Sequence, residues 1–292
     1  MLAGILEFYD VPFCHGKRHP TFTGQAWDRN DRFMLKRLRR AWLQHVMFRS
    51  RIPYPLWHEI LASVPLVSRL DQREQHRLRK LTGLFLHEKV ITGAGDLIVD
   101  SAMRGYIAAQ ACLLILNLDL DYYQGWSEVI VYPDSFIVQR DEYDDSGVVH
   151  ETRRNLAGEA WGRGPVILSW SDAKPGTRPH GPASNVILHE FAHKLDMLNG
   201  AANGMPPLHN NMVRENWTAA LSQAYEKLYH QLERHHHTAI DPYAAENPAE
   251  FFAVFTEVFF EQPALLHKLY PDVYGQLSLF YRQDPLQRAA SY

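Results

Sequence analysis

His189-Glu190-Phe191-Ala192-His193 sets two imidazoles four residues apart with a carboxylate between them. On a helix, residues four apart share a face. Both rings can then aim at one point, which is how a single helical turn supplies two ligands to a zinc ion and keeps a glutamate beside it as a general base. The chain carries 16 His in 292 residues. Its composition predicts roughly 0.05 chance matches to this pattern. The pentapeptide lies in an apolar run, Val186 to Leu198, whose period is helical.

Two histidines leave such a site incomplete, because a catalytic zinc usually takes three protein ligands and keeps the fourth position for water. One known solution places a third His six residues after the second. Here Asn199 holds that position and Asp196 replaces the glycine expected midway, so this solution is excluded. The other solution takes a glutamate from a later helix, and Glu215, Glu246, Glu250 and Glu257 compete for it. The last three share one face of a helix that Pro248 can start. The run Phe251 to Phe255 buries that helix, and a buried carboxylate needs a partner such as a metal. Burial and spacing alone leave Glu250 slightly ahead of Glu246 and Glu257, with Glu215 behind.

The elements around these residues are legible in outline. Residues 1–26 read as an irregular extension punctuated by Gly16, Pro20 and Gly24. Helices are expected from Asp28 to about Phe48, Leu56 to Leu66, Asp71 to Lys89 and Ser101 to Asn117, the last apolar nearly all round and therefore buried. Asp71 with Glu74 three residues on is a helix-start signal. The period then shortens. Ser127 to Tyr132, Ser135 to Arg140, Gly147 to His150 and Gly164 to Trp170 suggest strands. A polar loop, Ser171 to Pro182, leads into the histidine-bearing helix. Helical patterns return at Asn211 to Arg234, Pro248 to Phe260 and Pro271 to Tyr281. The expectation is an α+β fold in which residues 27–292 form a single domain. A helical part (27–120) packs on a small sheet, and residues 121–292 hold the candidate chemistry.

Composition narrows the class. Apolar residues make up 46% of the chain and aromatics 12%, enough for a packed core. A net charge of −3 provides no general attraction for nucleic acid. The arginines between Arg29 and Arg40 are accordingly read as the solvated face of an amphipathic helix. His235-His236-His237 is read as a solvated loop. The two cysteines, Cys14 and Cys112, sit in no Cys-x-x-Cys pair, which points to a reducing, cytoplasmic setting. The N-terminus lacks the basic start of a signal peptide. Tyr106 to Leu116, the most apolar stretch, is too short to span a membrane.

Tyr243, seven residues before Glu250-Phe251-Phe252-Ala253, together with His189 to His193, is similar to the catalytic domain of anthrax lethal factor. From about residue 30 to residue 280 the chain resembles the Mlc titration factor A family of bacterial zinc peptidases. Five segments carry that likeness: Ile107 to Cys112, Val129 to Pro133, Leu156 to Trp161, His189 to Asp196, and Asn203 to Leu208. The resemblance implies a zincin-like fold and one zinc per chain held by His189, His193 and Glu250. It implies Glu190 as catalytic base and Tyr243 as a donor to the oxyanion. Asp196 can orient a histidine from behind or serve as a structural cap. The strand Gly164 to Trp170, just ahead of the metal helix, is expected by analogy to lie beside an extended peptide substrate.

The implied activity is aminopeptidase-like cleavage of short peptides. The implied partner is the transcriptional repressor Mlc, through which such proteins modulate glucose phosphotransferase gene expression. A different class of function is a binding protein that titrates the repressor, its hydrolase activity latent. Direct DNA binding rests on the Arg29–Arg40 helix alone and is not favoured, and no membrane partner is expected.

Overall fold

The structure, a computed structural model, describes residues 51–134, 136–143, 149–156, 158–160, 164–177 and 184–289, with only the backbone between 136 and 160. His45–Tyr292 group as one compact unit. The extension at residues 1–26 and the basic helix expected near 28–48 lie outside the described residues.

Helix α1 (Tyr54–Ser63) and the single turn α2 (Pro65–Ser68) each carry a proline in the first turn, where its missing N–H costs nothing. Helix α3 (Gln72–Glu88) starts at a capping box. The Asp71 carboxylate accepts the Glu74 N–H at 2.8 Å, and Glu74 accepts the Asp71 N–H at 3.3 Å. Strand β1 (Val90–Gly93) follows, then α4 (Ser101–Leu114). The apolar surface of α4 is accounted for by its neighbours: α1, α3 and the later histidine-bearing helix all pack on it, and Ile107, Ala108 and Ala111 have no exposed surface.

Strands β2 (Glu128–Tyr132), β3 (Phe136–Tyr143), β4 (Val149–Leu156), β5 (Gly158–Ala160) and β6 (Val166–Ser169) come next. They form two sheets. The larger runs β1-β2-β6-β5, with β1, β2 and β6 parallel and β5 antiparallel to β6. Strands β3 and β4 make a separate antiparallel pair. Val129, Val131, Val166 and Leu168 are fully buried, as expected where parallel strands are covered by helices. Two strands escape the periodicity argument. β1 spans four residues and β5 three, too few for an alternating pattern to register. The strand expected over Gly164 to Trp170 occupies Val166–Ser169 and is paired on both edges, to β2 and to β5. The expectation that it offers an edge to a peptide is therefore corrected: its backbone groups are already used, and β5 is the strand at that end of the sheet.

The remaining helices are α5 (Trp170–Ala173), α6 (Val186–Asp196), α7 (Arg214–Glu233), α8 (Pro248–Glu261), α9 (Pro263–Leu269), α10 (Pro271–Tyr281) and α11 (Pro285–Ala289). Helix α6 lies on β5 and β6 and packs against both α4 and α8. Ten of its eleven residues are buried, His189 being the partial exception. Phe191 anchors it, with ring centroids 5.8 Å from Phe85, 5.3 Å from Tyr123 and 5.8 Å from Trp126. Among the described residues no helix is long and apolar enough to cross a membrane.

Candidate metal centre

Asn185 begins α6 by accepting the Leu188 N–H at 3.1 Å on its side-chain oxygen. From that start, His189 and His193 fall one turn apart on the α8-facing side. Their rings are nearly perpendicular, 81° apart, with centroids separated by 4.8 Å. Helix α8 is started by Asn247, whose side-chain oxygen accepts the N–H groups of Ala249 at 2.9 Å and Glu250 at 3.0 Å. Glu250 therefore sits in the first turn, where the positive end of the helix dipole favours a carboxylate. Phe251, Phe252 and Phe255 drive the rest of α8 into the core and fix Glu250 against α6.

Three atoms converge. Nε2 of His189 is 2.9 Å from Oε2 of Glu250, Nε2 of His193 is 3.3 Å from the same oxygen, and the two Nε2 atoms are 3.2 Å apart. In a tetrahedral zinc site, bond lengths of about 2.0–2.1 Å put neighbouring ligand atoms roughly 3.3 Å apart. Two imidazole nitrogens and a carboxylate oxygen at these separations fit one divalent ion. Among the described residues they are the one group of three or more such side chains close enough to hold a metal. Of the other carboxylates weighed, Glu215 and Glu246 are exposed and outside the group. Glu257 reaches His189 from the other side, 2.7 Å from Nδ1.

The charges respond to this crowding. Burial alone would strip the proton from His189, yet its hydrogen bonds to Glu250 and Glu257 hold its pKa well above the ordinary imidazole value. Burial would likewise push Glu250 up, and the two histidines more than reverse that, leaving it far below the usual carboxylate range. Two carboxylates facing one buried ring, Glu250 at Nε2 and Glu257 at Nδ1, favour positive charge between them.

Glu190 is buried on α6 between the two histidines. Tyr243 lies in a short 3-10 turn, Pro242–Ala245, capped by Asp241. It is 39% exposed and its ring stands 6.0 Å from that of His189. Asp196 is fully buried at the end of α6. Its Oδ2 accepts the N–H groups of Asn203 at 2.8 Å and Gly204 at 2.7 Å. Of the two roles open to Asp196, its hydrogen bonds fit the structural one.

Two residues to which the linear sequence assigns no individual role, Gly204 and Lys194, brace the site. Gly204 has φ +74°, and a Cβ there would lie 2.6 Å from the carbonyl oxygen of Pro248. Only glycine fits where the loop touches the start of α8. Lys194, buried on α6, donates to the carbonyl of Gly164 in the β5–β6 connection at 2.7 Å and lies 4.8 Å from the Trp126 ring. Burial, with Lys89 nearby, lowers its pKa to about 8 against the pull of Glu190. An Asn-Gly pair signals a turn; nothing local signals a lysine buried on carbonyls.

Residues 35–282 match the family described as glucose-regulated metallo-peptidase M90. An uncharacterized protein of Synechocystis sp. is 38% identical over 84% of this chain and 90% of its own length. A Mlc titration factor A from Serratia proteamaculans is 38% identical over 80% of this chain and 88% of its own. Its counterpart in Yersinia pestis is 37% identical over 80% and 86%.

Proposed function

The chain belongs to the glucose-regulated metallo-peptidase M90 family, and on that premise we propose that it is a zinc-dependent, aminopeptidase-type enzyme acting on short peptides. His189, His193 and Glu250 are its metal ligands. The observation that carries this reading is the meeting of two Nε2 atoms and one Oε2 within 3.3 Å of one another. Bound there, zinc supplies a Lewis acid that polarises a scissile carbonyl and acidifies water.

Glu190, adjacent in sequence to the first ligand, takes the proton of the attacking water and passes it to the leaving amine. The Tyr243 hydroxyl donates to the oxyanion of the tetrahedral intermediate. Its ring is near enough to His189, and open enough to solvent, for a substrate to reach it. An extended peptide pairs with the backbone of β5, the terminal strand of the sheet, which packs on the metal helix. A mixed sheet with its antiparallel strand beside the metal helix also supports a zincin-like fold. Cytoplasmic residence fits a chain with two cysteines and no Cys-x-x-Cys pair.

A second activity is favoured by the relatives named Mlc titration factor A. The chain binds the repressor Mlc and so modulates glucose phosphotransferase gene expression, with hydrolysis either coupled to that role or latent.

Glu190→Gln is the direct test. Zinc content should stay at one per chain while hydrolysis of a panel of short peptides with free amino ends falls by about 10²–10⁴-fold, the usual contribution of general acid–base catalysis. Retained turnover would remove Glu190 as base. Peptides with blocked amino ends that are cleaved equally well would remove the aminopeptidase assignment. Binding of Mlc by the metal-stripped protein would separate titration from hydrolysis.

A further inference from the structure

Helix α8 brings two carboxylates to His189, one to each ring nitrogen. Glu250 meets Nε2, on the side of the three-atom cluster. Glu257, two turns further along α8, lies 2.7 Å from Nδ1, away from it. The Glu257 side chain is 6% exposed. Its other oxygen accepts the backbone N–H of Asn185 at 2.5 Å. Asn185 is the residue that caps α6, and its side-chain amide donates to Gln110 on α4 at 2.8 Å and to Glu261 on α8 at 3.1 Å.

This inference rests on the metallopeptidase reading: we infer that Glu257 is a positioning residue for the metal centre, holding the proton of His189 on Nδ1 so that Nε2 presents its lone pair to the metal. A neutral imidazole carries one proton, and the hydrogen bond made by one nitrogen decides which nitrogen is free to ligate. A carboxylate acceptor does more than a neutral one, because it also raises the donor strength of the ligating nitrogen. The second oxygen of Glu257 ties this choice to the first turn of α6. Ring orientation and helix start are thereby set by one side chain. His193 lacks the equivalent: among the described residues its buried Nδ1 has no hydrogen-bond partner.

Glu257→Gln separates this role from simple packing. Glutamine has one acceptor oxygen, and Glu257 uses two, so one of the N–H groups of His189 and Asn185 must lose its partner. Metal-stripped wild type, Glu257→Gln and Glu261→Gln are titrated with zinc against a chromophoric chelator. Glu261→Gln keeps the helix and an oxygen that can accept the Asn185 side-chain amide. The expected result is a zinc dissociation constant raised about 10–100-fold in Glu257→Gln, the usual effect of losing such a partner, and changed less than about 3-fold in Glu261→Gln. Equal affinity in wild type and Glu257→Gln overturns the inference. Wild type that binds no zinc overturns the metallopeptidase reading itself, and this inference with it.

If Glu257→Gln does not fold by circular dichroism, the wild type still decides the matter. Nitrogen-15 spectra of its histidines in the zinc-loaded protein should place the His189 proton on Nδ1, in slow exchange with water. A proton on Nε2, or rapid exchange at Nδ1, rules Glu257 out of this role.

Discussion

The two ends of the histidine-bearing helix α6 are held by different means. At its N-terminal end, Asn185 is bonded to Gln110, Glu257 and Glu261, and Glu257 continues directly to a candidate ligand ring. At its C-terminal end, Asp196 and Lys194 bond to backbone groups of Asn203, Gly204 and Gly164. The first set of contacts governs the orientation of an imidazole. The second governs where α6 sits relative to the sheet, the 203–208 loop and, through Gly204, the start of α8. Side-chain chemistry is concentrated at one end and architecture at the other. A substitution at either end should therefore reveal its location by which property it changes, metal affinity or stability.

Glu250→Ala bears on the first half of that contrast with the largest effect. Removing a directly ligating oxygen should weaken zinc binding by more than the ~100-fold ceiling for outer partners, with the fold retained. Equilibrium dialysis with metal analysis measures it. Unchanged zinc content would dissolve the cluster as a metal site.

Gly204→Ala tests whether architecture reaches the centre at all. Its left-handed φ and a Cβ 2.6 Å from the Pro248 carbonyl demand movement of the α8 start. Strain and overpacking should together cost about 2–5 kcal/mol of stability, seen in chemical unfolding of the metal-free protein. Zinc affinity should fall as well, because Pro248 precedes Glu250 by two residues. Full stability in this variant would mean that the loop does not brace the two ligand-bearing helices.

Asp196→Asn sharpens the comparison with the smallest effect. One oxygen, Oδ2, accepts both loop N–H groups, so an asparagine carbonyl can replace it. The expected change is within about 1 kcal/mol in stability, set against the loss of about 1–3 kcal/mol when a buried N–H is left unmet. Asp196→Ala incurs that larger loss. Zinc affinity close to wild type in Asp196→Asn is the expected readout, unlike the loss predicted for Glu257→Gln. A marked fall in zinc affinity would place Asp196 among the groups that orient a histidine.

Local signals in the chain are enough for the histidine-bearing helix, the capping box at Asp71 and Glu74, the buried α4 and the start of α8 at Pro248. Each depends on contacts a few residues long, where helical geometry dictates which side chains meet. The pairing of His189 with His193 is of this kind. By contrast, spacing suited to one helix face separates Glu250 from Glu246 and Glu257 only by a small margin; in the structure Glu246 lies ahead of α8, at the end of the 3-10 turn, and only Glu250 and Glu257 are on the helix. Packing of α8 on α6 brings Glu250 to one nitrogen of His189 and Glu257 to the other, across 61 and 68 residues of chain. The exchange of β6 for β5 at the end of the sheet has the same origin. A three-residue strand has no period to read, and which strand lies outermost depends on hydrogen bonds between segments rather than within them. Residue spacing along one helix determined the kind of chemistry open to this protein. Tertiary packing alone decided which distant carboxylates serve it, because long-range convergence depends on how whole elements bury their apolar faces against one another.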